Sequence, residues 1–451
     1  MLKDAYGLPI STSSAEGAAA FDDTIEGYLK ARLDARDSLV AALKADQEFG
    51  LTHCLKGYFS MLLYNRAAVP AAAKAANTAR GLVANATARE KMHVDALDAW
   101  IAGDLLRLFA IWEEILATHP TDVLAFRLAH YLYFWTGRLH DMLASVERIA
   151  AKWDRGLPGY GAMLGCRSFA LEENGDYAAA ERNGRAAIDI DPADLWAAHA
   201  VAHVMEMQGR QHDGIMWLED LAPHWQSTNQ LQHHLWWHRA LYHYDQRQFD
   251  QVLALYDQRF RNLASPLTQS QPDFIIDVQN AASMLFRLER QDIDVGSRWI
   301  EIADKAEQRV GDCLSAFTLP HWMMALAATG RDKAANDMLD GMRDYSHGHQ
   351  TNAIVVREIA LPISEAVLAH RHKEYSSALD LMRPIIAETQ RMGGSHAQHD
   401  VLLQLFLDCA MRAGQTNDVQ VALGLARLYP APLHQRAGYA MAEQSHLQSS
   451  A

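Results

Sequence analysis

The chain has 451 residues, 41 of them basic and 55 acidic, for a net charge of −14. That length supports one large core or several. The acidic balance argues against nucleic acid or an anionic membrane as partner, because both reward basic patches.

The N-terminal stretch MLKDAYGLPISTSS has no apolar signal core, and no run of 18 apolar residues occurs anywhere, which predicts a soluble protein. Residues 1–13 read as an extended lead-in. Helical periodicity begins near Ser14, with Phe21, Ile25, Tyr28 and Leu29, then Leu33, Leu39 and Leu43. A further helix carries Leu51, Leu55, Tyr58, Phe59 and Leu62, and the alanine-rich stretch Ala67–Ala88 is helix-prone. These make an N-terminal helical region, 14–102. Alternating β-branched runs are missing, so an all-α fold is expected. Cys54, Cys166, Cys313 and Cys409 are isolated, without a CxxC pair, and fit a reducing cytoplasm.

From Gly103 a repeat appears. Turn punctuators fall at Gly103, Gly137, Gly175, Gly209, Arg247, Arg290, Gly330, Lys373 and Gly414, spaced by 34, 38, 34, 38, 43, 40, 43 and 41 residues. The clearest copies are Gly175-Asp-Tyr-Ala-Ala-Ala-Glu, Arg247-Gln-Phe-Asp-Gln-Val-Leu and Lys373-Glu-Tyr-Ser-Ser-Ala-Leu. Pro120 and Pro192 each follow a glycine by 17 residues. This is the tetratricopeptide helix-pair pattern. Such pairs stack into a right-handed α-solenoid, here expected as one continuous superhelix over 103–440 with a tail at 441–451. The one loop with a site-like signal is Gly393-Gly394-Ser395, ahead of a helix starting near His396, whose N-terminus suits an anion.

The stretch from Leu195 to Tyr256 holds eight of the 22 histidines. Asp194 is the expected N-cap of its first helix and Gly209 its stop. At 100° per residue, His199, His203 and Glu206 share a face. His234 and His238, four apart, do the same on the next helix, among Trp236 and Trp237. Counted back from the punctuators, His199, His203 and Glu206 fall on concave-facing positions, as do Arg127, Tyr131 and Phe134. His234, His238 and His321 fall within one step of such positions.

These residues carry a family resemblance. His199-Ala-Val-Ala-His203-Val-Met-Glu206-Met, His233-His-Leu-Trp-Trp237-His238-Arg-Ala-Leu-Tyr, Ser283-Met-Leu-Phe-Arg-Leu, Arg357-Glu-Ile-Ala-Leu-Pro362 and Gly393-Gly-Ser-His-Ala-Gln-His-Asp400-Val resemble the tetratricopeptide repeat protein 38 family. That family carries arginine where this chain has His399. The resemblance implies the fold and the residue list rather than a reaction.

Two readings follow from the residues. In the first, a concave pocket binds a small molecule or short peptide, with hydrolysis the leading reaction. His199, His203, Glu206 and His238 would be its catalytic groups, because histidine exchanges protons near neutral pH. Trp237, His234, Asp277, His321, Arg357 and Tyr131 would line the substrate, and the planar fork of Arg357 suits a carboxylate or phosphate. His199, His203 and His238 also have the spacing of transition-metal ligands, zinc included, although HExxH is absent. In the second reading the superhelix is a non-catalytic protein–protein interaction scaffold. Titratable and aromatic residues on the inner positions tilt the balance toward the first. A homo-oligomer is left open by either.

Overall fold

The computed structural model describes residues 1–450. Its architecture is all-α: helices follow one another from Ala15–Leu29 to Ala440–Ser450, and the strands among the described residues are the two-residue pair Leu2–Lys3 and Pro9–Ile10. These pair antiparallel, so the expected lead-in is a small hairpin. The expected tail at 441–451 is helical through Ser450.

Local chemistry sets the helix ends. Asp122, Asp176 and Asp194 cap their helices by accepting backbone N–H bonds through the side chain. Thr87 with Glu90, and Ser395 with Gln398, form reciprocal capping boxes. Eight of the nine punctuators adopt left-handed backbone, with φ between 59° and 86°. Two of these, Arg247 and Lys373, are not glycine. The ninth stop falls at Asp292 (φ 58°) rather than Arg290.

The helices divide into two layers by burial. One set is buried nearly all round. Val123–Trp135 is buried except at Tyr131, Leu195–Met207 except at Glu206, and Ile275–Glu289 except at Glu289. The other set is amphipathic. Leu139–Ala150 buries Leu139, Met142, Ser145, Val146 and Ile149, and Arg298–Gln308 buries Trp299, Ile302, Ala303 and Ala306. That three-to-four spacing leaves the opposite face to water.

Leu195–Met207 packs between Tyr160–Glu173 and Leu231–Asp245, and Leu231–Asp245 packs on Ile275–Glu289. The helix His396–Arg412 touches both Leu195–Met207 and Ile275–Glu289, so it packs across the two. Distant segments are also sewn together. Thr351 donates its N–H to the Gly103 carbonyl (2.9 Å), Ala431 to that of Met207 (2.9 Å) and Asn229 to that of Ala31 (2.7 Å). At one seam the backbones touch. A Cβ on Gly393 would lie 2.2 Å from the Trp135 carbonyl oxygen, and one on Gly137 would lie 2.0 Å from that of Gln390. Both glycines also have positive φ, so no other residue fits without displacing backbone.

A buried charge network anchors the hairpin. Arg89 donates to Asp122 (2.8 Å) and to the Pro9 carbonyl (3.1 Å), and the His93 ring lies 3.0 Å from the same Asp122 oxygen. Burial alone would raise the Asp122 carboxyl, but His93 and Arg89 outweigh it and hold it well below the usual carboxylate range. A depressed carboxyl stabilises the fold above the unfolded pKa of about 4 and loses that contribution as pH falls below it. Asp122→Asn should therefore lower the unfolding free energy by about 3 kcal/mol at pH 7, since it leaves Arg89 short of its buried partner. Urea denaturation at pH 7 and pH 3.5 checks this, with a smaller gap expected at the lower pH.

Candidate metal centre

Two neighbouring helices build the site. Asp194 caps the first through the N–H groups of Trp196 and Ala197, and the chain leaves it at Gly209. The second, Leu231–Asp245, ends before the left-handed Arg247. Each carries two histidines four residues apart on the side facing its neighbour. One nitrogen from each of His199, His203, His234 and His238 falls in a set whose members all lie within 4.8 Å of one another. All four residues are buried. Ring centroids are 4.3 Å apart for His199 and His203, 4.5 Å for His203 and His238, and 4.7 Å for His234 and His238.

The outward nitrogens are held from behind. The Nδ1 of His234 donates to the Asn280 side-chain oxygen at 2.9 Å, and the Nδ1 of His238 lies 2.8 Å from Glu206. With Nδ1 so engaged, Nε2 of each ring is turned toward the cluster as a lone-pair donor. His199 and His203 meet through their Nε2 atoms at 2.9 Å, one N–H donating to the other ring. The Nδ1 atoms of His199 and His203 and the Nε2 of His238 have no hydrogen-bond partner.

Burial pushes His199, His203 and His238 well below the ordinary histidine range, and the neighbouring rings add to the effect. Burial takes His234 down to about 4 against the opposing Asn280 bond. Four neutral imidazoles result, which is the form that binds metal. The surrounding wall is aromatic. Phe169 lies 5.1 Å from the His199 ring, Trp196 lies 5.2 Å from it, and Trp237 stacks on His234 at 5.1 Å.

Glu206 connects the cluster to a small charged cavity lined also by Asp245, Arg287, His396, Asp400 and Arg436. Its space for water-sized groups is about 30 Å³, room for roughly two waters. Burial and the nearby Asp245 charge push Glu206 well above the usual carboxylate range, and burial takes Asp245 up to about 7. Asp400 is held down by Arg436 and Arg287 against the effect of burial.

His199, His203, Glu206, His234, Trp237 and His238 thus come together. Asp277 instead accepts from the ring of His233, a neighbour outside the cluster, at 2.8 Å. The other three residues read from sequence are placed elsewhere. His321 is buried with its Nδ1 on the Phe317 carbonyl, 2.9 Å away. Tyr131 packs on Tyr64 and Trp135. Arg357, with its side chain 51% exposed, pairs with Glu358 at the surface, so it does not line the cluster. Sequence reasoning missed Asn280, Glu172, Glu173 and His396. His396 stood inside a quoted motif. Glu172 precedes Gly175 by three residues, as Glu206 precedes Gly209, so the same spacing rule reaches it.

No protein-family model matches the chain.

Because the His203 ring is wholly enclosed, His203→Ala should lower the unfolding free energy by about 2–4 kcal/mol through the cavity it leaves. Chemical denaturation of the metal-stripped protein measures it. A loss under about 0.5 kcal/mol, the range of surface changes, would mean the ring is not packed as described.

Proposed function

We propose that the protein is a metal-dependent enzyme, with hydrolysis of a small polar molecule as the leading reaction class, since the charged cavity beside the centre has room for about two waters and not for a peptide. The observation that carries the reading is the convergence of His199, His203, His234 and His238 in a buried set, with Asn280 and Glu206 behind two of the rings. A packed structural core has no need of four desolvated imidazoles with three orphaned nitrogens, whereas a metal site needs such lone pairs and the second layer behind them. Imidazole donors suit zinc, copper, iron or nickel. Such an ion supplies Lewis acidity to a substrate bond.

The chain's own residues supply the rest. Glu206 spans from the His238 ring to the charged cavity, a position from which a carboxyl can pass a proton to a group held there. Arg287 and Arg436, both paired with Asp400, face Glu206 and Asp245 across the cavity, so its lining is polar and mixed in charge. We read the scaffold as tetratricopeptide-like helix pairs in a right-handed superhelix, related to the tetratricopeptide repeat protein 38 family. The left-handed stops and the alternation of inner and outer helices support that reading. A non-catalytic scaffold would need an open inner wall for its partner, and the burial of these inner helices lends it no support.

Plasma mass spectrometry on untagged protein tests the centre. The wild type should carry a stoichiometric transition metal, and His199→Ala/His234→Ala should carry one equivalent fewer. Asn280→Ala should keep the fold while weakening metal affinity by about 10–100-fold. A wild type that is metal-free as isolated, and takes up no zinc on titration, would sink the reading.

A further inference from the structure

Glu172 and Glu173 close the Tyr160–Glu173 helix, and both side chains are wholly buried. None of their four carboxylate oxygens has a hydrogen-bond partner at ordinary distance and angle, although the His396 backbone N–H and the neighbouring Glu172 carboxyl are near enough to Glu173 to oppose the rise that burial causes. Among the described residues their ion-pair partners are histidines only, with no lysine or arginine. Burial pushes both carboxyls upward, and the Glu173 charge raises Glu172 further. Two adjacent desolvated carboxylates without a cation are among the costliest arrangements a protein interior holds.

The groups facing them are nitrogens. His203 Nδ1 lies 3.6 Å from Glu172 and 3.8 Å from Glu173, and His396 Nδ1 lies 3.7 Å from Glu173. Both nitrogens lack a hydrogen-bond partner, and the His203 ring is fully buried. These separations are too long for hydrogen bonds. They are close to the edge of a tetrahedron drawn around an ion with ligand bonds of about 2.1 Å, an edge of about 3.4 Å. One ligand atom each from Glu172, Glu173 and His396 falls within 4.8 Å of the others. The negative end of the helix dipole at Glu173 also favours a cation.

We propose that Glu172, Glu173 and His396 form a second divalent-cation site and that the His203 ring is shared between the two sites. Nε2 of His203 faces the four-histidine set and Nδ1 faces the carboxylates. Mixed carboxylate and imidazole donors suit zinc, manganese or iron. His396 also lines the charged cavity, as Glu206 does beside the first set, so both proposed ions would border it. The inference rests on the metal reading above for the shared ring alone, since the carboxylate site has its own ligands.

The test is titration of metal-stripped full-length protein with zinc, read by calorimetry and by metal content after gel filtration. Glu173→Gln is the key variant. It keeps volume and removes one of two repelling charges, so the stripped variant should melt no lower than the wild type, which controls for folding. Two equivalents in the wild type and one in Glu173→Gln would support the proposal. His199→Ala/His234→Ala should then keep the carboxylate ion. One equivalent, lost in His199→Ala/His234→Ala and kept in Glu173→Gln, would overturn the second site and leave the first standing. One equivalent with the opposite pattern would support the carboxylate site and remove the four-histidine reading with its shared ring. No binding in the wild type would overturn both. For the ring itself, copper loaded into both sites should show magnetic coupling in its paramagnetic resonance spectrum. Two uncoupled copper signals would overturn the sharing.

Discussion

An imidazole taken out of water has two nitrogens to satisfy, and the inner helices of this protein are organised by that requirement. Of the four clustered rings, His234 and His238 each anchor one nitrogen on Asn280 or Glu206, and His199 and His203 share one hydrogen bond. Three nitrogens are left without a partner. Each unsatisfied buried group costs about 1–3 kcal/mol, so together they are large against a net folding stability of about 5–15 kcal/mol. The proposed ions would offset that cost at His238 Nε2 and His203 Nδ1. They also explain why the rings converge instead of turning outward as histidines on amphipathic helices do.

The rest of the inner layer follows the same logic by other means. Arg287 reaches the Ala397 carbonyl and Asp400, and Asp400 also accepts from Arg436 and Tyr439. The helix His396–Arg412 is therefore fixed over the cluster by charge-assisted bonds as well as by apolar packing. Its capping box, Ser395 with Gln398, sets where that helix begins, and so where His396 points. Gln398 also donates to Gln279 on the adjacent Ile275–Glu289 helix. A local capping preference thus carries through to the geometry of the candidate site.

Spacing along one helix was readable from sequence, whereas contact between helices was not. The i, i+4 pairs and the stop residues follow from backbone periodicity, and they placed His199, His203, His234 and His238 on facing sides. Asn280 and His396 reach the cluster from helices 46 or more residues away from their partners, and no local pattern encodes that approach. Glu172 and Glu173 carried a signal in their distance from Gly175, but a pair of glutamates on a helix reads first as a solvated face. Arg357 is displaced for a definite reason. It lies in a wide turn, Val356–Ala360, between Thr351–Val355 and Leu361–Arg371. Such a turn inserts an extra residue and rotates the register of everything beside it. The stop expected at Arg290 falls at Asp292 because Arg290 itself keeps helical backbone, its N–H still bonded to the Phe286 carbonyl.

The seams that close the molecule set the order in which it is made. Tyr64 meets Arg309 and Leu105 meets Thr351 across 245 and 246 residues of sequence. Contacts that remote form late, because loop closure precedes any gain from them. During synthesis the helices bearing Glu172, His203 and His238 emerge long before His396. For that interval the cluster is open on the side the later helix will cover. The proposed ions would therefore meet an open site during synthesis, and in the finished protein would enter by the slower reopening of that seam.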